Sequence, residues 1–109
     1  MARNYRPGDR SQVMDYESAS DYLGDKEERP LSGVHTRLHR IDKRTIAVRY
    51  HWTDVVTYNK GRRTRINNGG WFTPTTKNRI NEYTNAGISQ MNFEWYVSGG
   101  RKFKEGMLV

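Results

Sequence analysis

One segment, Thr45–His51 (TIAVRYH), constrains the fold more than any other part of the chain. Its residues are mostly β-branched or aromatic, and apolar side chains recur at every second position, as on the buried face of a strand. Val55–Tyr58 (VVTY) repeats this character after an interruption at Thr53-Asp54, and turn sequences stand at Asp42–Arg44 and Asn59–Gly61. The pattern predicts a meander of short antiparallel strands.

The strand pattern continues on both sides of this segment. Val34–Ile41 has strand character although it is rich in His and Arg, and Arg62–Ile66 returns as a partner strand before a turn at Asn67–Gly70. Met91–Val97 alternates apolar and polar residues, which predicts a half-buried strand. A turn at Ser89–Asn92, which would make this region a hairpin, is the alternative.

The N-terminal part of the chain is polar and predicts little regular structure. Residues 1–10 are expected to be unstructured, and residues 24–33 are expected to form a linker. Between them, Ser11 predicts the start of a helix over residues 12–23. Two interpretations stay open: the helix packs on the domain, or it is an acidic arm that folds against a partner.

A second helix is predicted after the central strands. Thr75 or Thr76 provides the N-cap for residues 76–85, and Ile80 faces inward. Asn and Thr are weak helix formers, so packing must hold this helix. Together the elements predict an α+β fold: a small antiparallel sheet of four to six short strands with one packed helix and an N-terminal acidic arm.

Charge is unevenly distributed along the chain. Residues 1–30 carry five Lys/Arg and seven Asp/Glu, whereas residues 31–109 carry fourteen and five, so the net charge of +7 comes from the C-terminal part. We predict an acidic, partly disordered or helical arm at residues 1–33, a basic α+β domain at residues 34–100 and a basic tail at residues 101–109. A basic domain of this kind attracts polyanions.

The composition excludes several classes of protein. The chain has no Cys, so neither a disulfide nor a thiolate metal site is possible, and no phosphate-binding or zinc motif is present. No segment has the apolar run of a signal peptide or a membrane span. We therefore expect a protein without metal or cofactor that acts inside the cell and away from the membrane.

The central run of the chain resembles a family of small proteins from bacteriophages and prophage-like regions. The shared pattern, over about residues 45–97, is a strand that ends in His-x-Thr-Asp-Val-Val-Thr, a hairpin, and then Gly-Gly-Trp-x-Thr-x-Thr-Thr-Lys-x-Arg-Ile-Asn. The matching positions are His51, Thr53, Asp54, Val55, Val56, Thr57, Gly69, Gly70, Trp71, Thr73, Thr75, Thr76, Lys77, Arg79, Ile80 and Asn81. The resemblance implies a phage-encoded protein in the cytoplasm of a bacterial host, and no particular activity. The chain departs from the pattern at Trp52 and in its basic hairpin.

That hairpin concentrates positive charge, with Lys60, Arg62, Arg63 and Arg65 within six residues. Period-2 alternation places Arg62 on the face of Ile66, where it is partly buried or paired with an acid. One interpretation is a charged edge strand that prevents aggregation. The other, which we favour, is a ribbon that follows the phosphates of RNA or of single-stranded DNA.

The predicted helix start is a second candidate contact. Thr75, Thr76, Lys77 and Arg79 combine hydroxyls, exposed N–H groups and cations at the positive end of a helix, where anions bind. The alternative is that the threonines only cap the helix and that Lys77 is solvated.

His51 and Asp54 form a possible secondary site. His51 could act as a general base oriented by Asp54, with His39 near His51 across the sheet, which would suit metal-free cleavage of a phosphodiester. Two His and an Asp could instead hold a metal ion. The interpretation that we favour is structural: Asp54 caps a turn, and His51 is a hydrogen-bonded residue of the sheet.

Among the aromatic residues, Trp52 is the best candidate for an exposed ring. It stands beside His51 where the strand pattern stops, and it could stack on a base or anchor a protein interface. The other rings of this kind are expected in the core, namely Trp71, Phe72, Trp95 and Tyr96.

The sequence leaves three functions open. The first, which we favour, is a non-enzymatic protein that contacts RNA or single-stranded DNA through the hairpin and the helix start. The second is an interaction factor that inhibits or modifies a host or defence protein, or a component of the virion. The third is a small phosphodiesterase centred on His51. The low apolar content also leaves homo-oligomerisation open.

Overall fold

The computed structural model describes residues 10–109, so the prediction for residues 1–9 lies outside the described part of the chain. Five strands form an antiparallel meander in chain order, β1 (Glu28–Pro30), β2 (Thr36–Asp42), β3 (Thr45–Tyr50), β4 (Thr53–Asn59) and β5 (Arg65–Ile66). The other elements are the helices α1 (Tyr16–Leu23) and α2 (Pro74–Glu82) and a hairpin of β6 (Ser89–Met91) and β7 (Glu94–Tyr96). The predicted α+β fold with a small antiparallel sheet is confirmed.

One face of the sheet forms the hydrophobic core. Leu38, Val48 and Val56 stand opposite one another on β2, β3 and β4, and Ile46 stands opposite Tyr58 in the same way. All five are buried, as the alternation of the sequence predicts. The helices add further buried residues to this core, namely Ala19, Tyr22, Leu23 and Ile80. Burying each large aliphatic side chain contributes about 1.5–3 kcal/mol, so a few such residues stabilise the sheet substantially.

The connection between β3 and β4 differs from the prediction. Thr53 and Asp54 belong to β4, and the interruption falls instead at His51 and Trp52, where His51 has a φ of 54°. Arg49 pairs with Asp54 while Val48 pairs with Val56, which leaves one extra residue on β4 as a β-bulge. Because of the bulge, Asp54 lies on the same face of the sheet as Arg49. The two consecutive residues that follow it, Val55 and Val56, are both buried.

Helix α1 begins later than predicted. Ser11 lies in a single 3-10 turn, and the N-cap is Asp15, whose carboxylate accepts a hydrogen bond from the Ser18 N–H at 2.8 Å. The Ser18 Oγ accepts a hydrogen bond from the Asp15 N–H in return, at 3.1 Å, which completes a capping box. Because the helix buries Leu23 against the sheet residues, the interpretation in which it packs on the domain describes the structure.

Residues outside the predicted basic domain also belong to the same core. The predicted linker at residues 24–33 contains the edge strand β1, whose Pro30 lacks an N–H and therefore suits an edge. Leu31 is buried directly after it. In the predicted basic tail, Phe103 is buried and Leu108 forms an isolated bridge to β5.

The cap of the second helix and the last strands also differ from the prediction. Thr73 caps α2 in place of Thr75 or Thr76, since its Oγ1 accepts a hydrogen bond from the Thr76 N–H at 3.2 Å and Pro74 occupies the first helical position. A hairpin is present at the end of the domain, as in the alternative, but its turn lies at Asn92-Phe93, and Ser89–Met91, which the alternative placed in the turn, form β6. Its turn residues Asn92 and Phe93 both have positive φ, which is typical of a tight hairpin turn.

Candidate functional site

The structure places the predicted contact residues at the two ends of β4. Thr53, the first residue of β4, lies near the start of α2, whereas Lys60 directly follows its last residue. The seven residues of β4 are separated by six intervals of about 3.3 Å, so the two ends lie about 20 Å apart. The basic hairpin and the helix start therefore form two surfaces and not one.

The first surface, which we call the cationic end, comprises Lys43, Arg44, Lys60, Arg62 and Arg63. The Lys60 N–H donates a hydrogen bond to the Arg44 carbonyl at 2.9 Å, which holds the β2–β3 turn beside the β4–β5 turn. All five side chains are exposed, and within residues 10–109 none of them forms an ion pair. Sequence analysis missed Lys43 and Arg44, although the meander itself brings alternate turns to one end of a sheet.

Acidic groups also border the cationic end. The Asp42 carboxylate accepts a hydrogen bond from the Arg44 N–H at 2.8 Å, and this bond lowers the pKa of Asp42, so the group is charged at neutral pH. Asp15 and Glu17 of α1 line a groove of about 340 Å³ together with Arg62 and other residues of the hairpin. The acids reduce the positive charge on the side of the cationic end that faces α1.

Two arginines of the hairpin contact the C-terminal segment: Arg63, which belongs to the cationic end, and Arg65, which does not. The Arg65 guanidinium donates a hydrogen bond to the Gly106 carbonyl, and the Arg63 Nη2 donates to the Leu108 carbonyl at 3.3 Å. The prediction that Arg62 shares the face of Ile66 is wrong, because β5 begins only at Arg65 and Arg62 lies exposed in the turn.

At the other end of β4, the start of α2 offers fewer contacts than predicted. Thr76 is buried, and Lys77 is half-buried. Arg79 is held inside the molecule, since its Nη1 donates to Glu82 at 2.7 Å and its Nε donates to Thr36 at 3.0 Å. The Thr73 side chain takes the Thr76 N–H, which is one of the N–H groups at the helix start. Thr75 is the one exposed residue of the predicted set.

His51 and Asp54 do not form a pair. The His51 ring stacks on His35 with a centroid distance of 4.4 Å, and the Asp54 carboxylate lies 2.7 Å from the Nε2 of His39. The register of β2 and β3 places His39 opposite Ala47, away from His51. The geometry for a phosphodiesterase centred on His51 is therefore not assembled. The described residues also contain no group of three His, Asp or Glu side chains that could hold a metal.

A pocket of about 350 Å³ lies beside the start of α2 and was not predicted from the sequence. This aromatic pocket is lined by Tyr50, His51, Trp52, Thr53, Val55, Asn68, Trp71, Thr73 and Thr76. Trp52 is 96% exposed, as expected, but Trp71 is 64% exposed and is not a core ring. Phe72 is exposed as well, whereas Trp95 is buried in agreement with the prediction.

The turn that carries Asn68 is rigidly held. Glu105 accepts hydrogen bonds from the N–H groups of Asn68 and Gly69 at 2.6 and 2.7 Å, and the Asn68 Oδ1 accepts one from the Gly70 N–H at 2.8 Å. Asn68 is only 2% exposed, yet its Nδ2 has no hydrogen-bond partner within residues 10–109. A buried donor left in this state costs about 1–3 kcal/mol, which indicates a role for it beyond packing.

Fold and site define a small α+β protein whose sheet carries exposed cations at one end and an aromatic pocket at the other. The family model for the Kyanoviridae Gp96 protein matches residues 23–109. The chain belongs to this family, a phage protein family of uncharacterised function, and the expected phage origin is confirmed. Comparison with curated proteins and with solved structures found no match. No helix within residues 10–109 is long and apolar enough to cross a membrane.

Proposed function

We propose that this phage protein binds RNA or single-stranded DNA without catalysis, in the cytoplasm of the bacterial host, and that the cationic end contacts the phosphates. The observation that carries the proposal is the exposure of five cations on two adjacent turns, with no ion pair among the described residues to neutralise them. Groups of this kind release counterions from a nucleic acid and so favour its binding.

The distribution of the other cations supports this location. Arg37 and Arg49 both donate hydrogen bonds to Glu28 on the open face of the sheet, and Arg79 is paired with Glu82. Each of these three guanidinium groups contacts a carboxylate, and Glu28 is shared by two of them, so their charge is partly compensated. The cationic end differs from these positions because its side chains have no carboxylate within 4 Å among residues 10–109.

Salt dependence tests the proposal quantitatively. Five phosphate contacts to a single strand give a slope of log affinity against log salt of about −3.5, so affinity falls roughly 100-fold between 50 and 200 mM salt. Replacing Lys60, Arg62 and Arg63 by Ala leaves two contacts and a slope of about −1.4, which corresponds to a fall of roughly sevenfold. Fluorescence anisotropy of labelled RNA and DNA oligonucleotides measures both slopes.

A matched control separates the cationic end from total charge. Lys26, Arg101 and Lys104 are exposed and lie outside the two turns of the cationic end, so their replacement by Ala changes the net charge equally. This control variant should keep a slope close to that of the wild type. The proposal is wrong if the two triple variants behave alike, or if the wild type binds no nucleic acid at 50 mM salt.

A host protein is the second candidate partner, and one observation favours it. Phe93 is 92% exposed at the tip of the β6–β7 hairpin, with Met91 exposed beside it. Large exposed apolar side chains of this kind often anchor protein interfaces. A host protein captured by the wild type after nuclease treatment, but not by a Met91→Ser/Phe93→Ser variant, would favour this function. Equal capture by both would remove the role of the hairpin tip.

A further inference from the structure

The aromatic pocket has the size and the lining of a ligand site. Its volume of about 350 Å³ lies at the lower end of the range for pockets that bind small molecules, which suits a ligand with one ring system. The walls come from three places in the chain: the β3–β4 turn, the turn at Asn68–Gly70 and the first turn of α2. The Glu105 carboxylate holds the second of these through two hydrogen bonds.

Asn68 defines the polar chemistry of the ligand. Its Oδ1 is already engaged with the Gly70 N–H, while the buried Nδ2 has no partner within the described residues. An amide nitrogen is a donor only, so the matching ligand atom is an acceptor such as a carbonyl oxygen. An acceptor placed there would satisfy a donor that is otherwise buried without compensation.

The rings at the mouth of the pocket define its apolar chemistry. Trp52 and Trp71 leave large indole surfaces in water, and Tyr50 and His51 line the wall below them with their centroids 4.4 Å apart. The stacking of His35 on His51 holds that imidazole in place. Flat rings stack on such side chains, so the expected ligand is a planar ring with a carbonyl group.

The start of α2 adds an electrostatic preference. Thr73 and Thr76 line the pocket, and their hydroxyls are hydrogen-bonded to each other at 2.9 Å at the positive end of the helix. Thr75 is exposed directly beside them. A negative group attached to the ring would be attracted to this end of the helix.

From these features we infer that the aromatic pocket binds a nucleobase, which stacks on Trp52 and Trp71 and accepts a hydrogen bond from the Asn68 Nδ2. The phosphate of the same nucleotide faces the start of α2. The base belongs to a free nucleotide or to a single strand. This inference deepens the proposed function, since it gives the protein a second contact that lies about 20 Å from the cationic end along β4.

Quenching of tryptophan fluorescence tests the inference, because two of the three Trp residues line the pocket and Trp95 is buried elsewhere in the core. UMP should quench the fluorescence, and ribose 5-phosphate, which lacks the base, should not. Trp52→Ala should weaken the binding of UMP by about 5- to 150-fold through loss of stacking. Phe93→Ala is the matched control, since Phe93 is equally exposed but lies outside the pocket, and it should leave the affinity unchanged.

A second variant tests the hydrogen bond. Asn68→Asp keeps the acceptor for the Gly70 N–H and removes the Nδ2 donor, so the affinity for UMP should fall at least about 5-fold. Circular dichroism shows whether the Asn68→Asp variant is folded. If it is not folded, the Trp52→Ala variant tests the inference instead. The inference is overturned if UMP, CMP and GMP all fail to quench. Equal affinities of Trp52→Ala and Phe93→Ala, or stronger quenching by N-acetyltyrosinamide than by UMP, would overturn it too.

Two further experiments distinguish a free nucleotide from a single strand and show whether the two sites are independent. If an oligouridine quenches the fluorescence at lower concentration than UMP, and an abasic oligonucleotide does not quench it, the pocket binds the base of a single strand. Equal affinity for UMP and oligouridine indicates a free nucleotide. The variant without Lys60, Arg62 and Arg63 should keep the response to UMP. If wild-type protein binds UMP but its oligonucleotide affinity shows no dependence on these cations, the proposed function fails and the pocket assignment stands.

Discussion

Gly69 and Gly70 connect two residues that line the aromatic pocket, Asn68 and Trp71, and they allow a matched test of how this turn packs against β4. Their φ angles are 63° and 86°, so Ala at either position adopts a conformation that costs an L residue about 1–2 kcal/mol. The two positions differ in space. A Cβ at Gly69 would lie 2.7 Å from the Thr53 Oγ1 and 3.0 Å from its Cγ2, whereas a Cβ at Gly70 would meet nothing within 4 Å.

Thr53 cannot easily move away from the added methyl group. It is β-branched and lies in β4, where its rotamers are restricted. Overpacking of this kind costs about 1–3 kcal/mol beyond the backbone strain. We therefore expect Gly70→Ala to lower the free energy of unfolding by about 1–2 kcal/mol and Gly69→Ala to lower it by about 2–5 kcal/mol.

Urea unfolding followed by circular dichroism, in the wild-type and Thr53→Ala backgrounds, measures these differences. In the Thr53→Ala background the remaining Cβ of residue 53 lies 3.4 Å from the new methyl group, an ordinary contact, so both glycine variants should lose the same stability. Equal losses in the wild-type background would refute the reasoning. A difference that persists in the Thr53→Ala background would refute it as well, because the steric contact would then not be its cause.

Three further predictions concern the core, a helix cap and a turn. Tyr58 donates a hydrogen bond to the Tyr83 carbonyl at 2.6 Å, and burial raises the pKa of Tyr58 well above its usual value. Above about pH 10 the unfolded chain releases this proton and the folded chain keeps it, so stability falls by up to about 1.4 kcal/mol per pH unit. Tyr58→Phe removes that contribution. Unfolding curves between pH 9 and 11 should therefore show that the free energies of unfolding of the wild type and the variant approach each other as the pH rises, and a difference that stays constant would contradict this prediction. Thr73→Ala should lower stability by about 1 kcal/mol through loss of the cap, whereas Thr75→Ala, on the exposed side of the same turn, should change it by less than about 0.5 kcal/mol. Phe93→Gly should raise stability by about 0.5–1 kcal/mol, since φ at this exposed residue is 66°, and a melting temperature equal to or below that of the wild type would argue against strain there.

Local patterns predict the sheet because its strands bury alternate residues. Ile46 and Val48 are buried as the two-residue period requires, and the turns at Lys43-Arg44 and Gly61 lie where the sequence places them. The edge strand β1 could not be predicted in the same way. It is polar and three residues long, and it exists through pairing with β2, where Glu28 also forms ion pairs with two arginines. Only tertiary structure supplies those partners.

Both helices begin at residues other than the predicted ones, because several side chains near each start can cap a helix. Ser11 and Asp15 both have side chains that can cap a helix, and only Asp15 has a serine three residues later to complete the reciprocal pair. At α2, Thr73 precedes a proline that favours the first helical position, and that combination identifies the cap better than Thr75 or Thr76 does. Both signals are present in the sequence.

The aromatic pocket shows what sequence patterns cannot supply. Trp71 follows two glycines and looks like a core ring, but the turn at Asn68–Gly70 directs it to the mouth of a pocket whose other walls lie elsewhere in the chain. Asn68 looks like an ordinary turn residue, and the carboxylate that holds its backbone N–H belongs to Glu105, 37 residues away. The resemblance to phage proteins marks several lining residues, including Thr53 and Trp71, without indicating that they meet.

The two surfaces differ in what they can recognise, and this difference limits the kind of ligand that would contact both. The cationic end offers charge, which holds phosphates and carries no information about bases. The aromatic pocket offers stacking and one directed donor, which suit a base and not a bare phosphate. On the open face of the sheet, Arg37 and Arg49 share the Glu28 carboxylate, so that face adds less free positive charge than the cationic end. In the proposed binding mode, a mononucleotide therefore occupies one surface only, and a single strand needs several nucleotides to span the roughly 20 Å between them that the length of β4 sets.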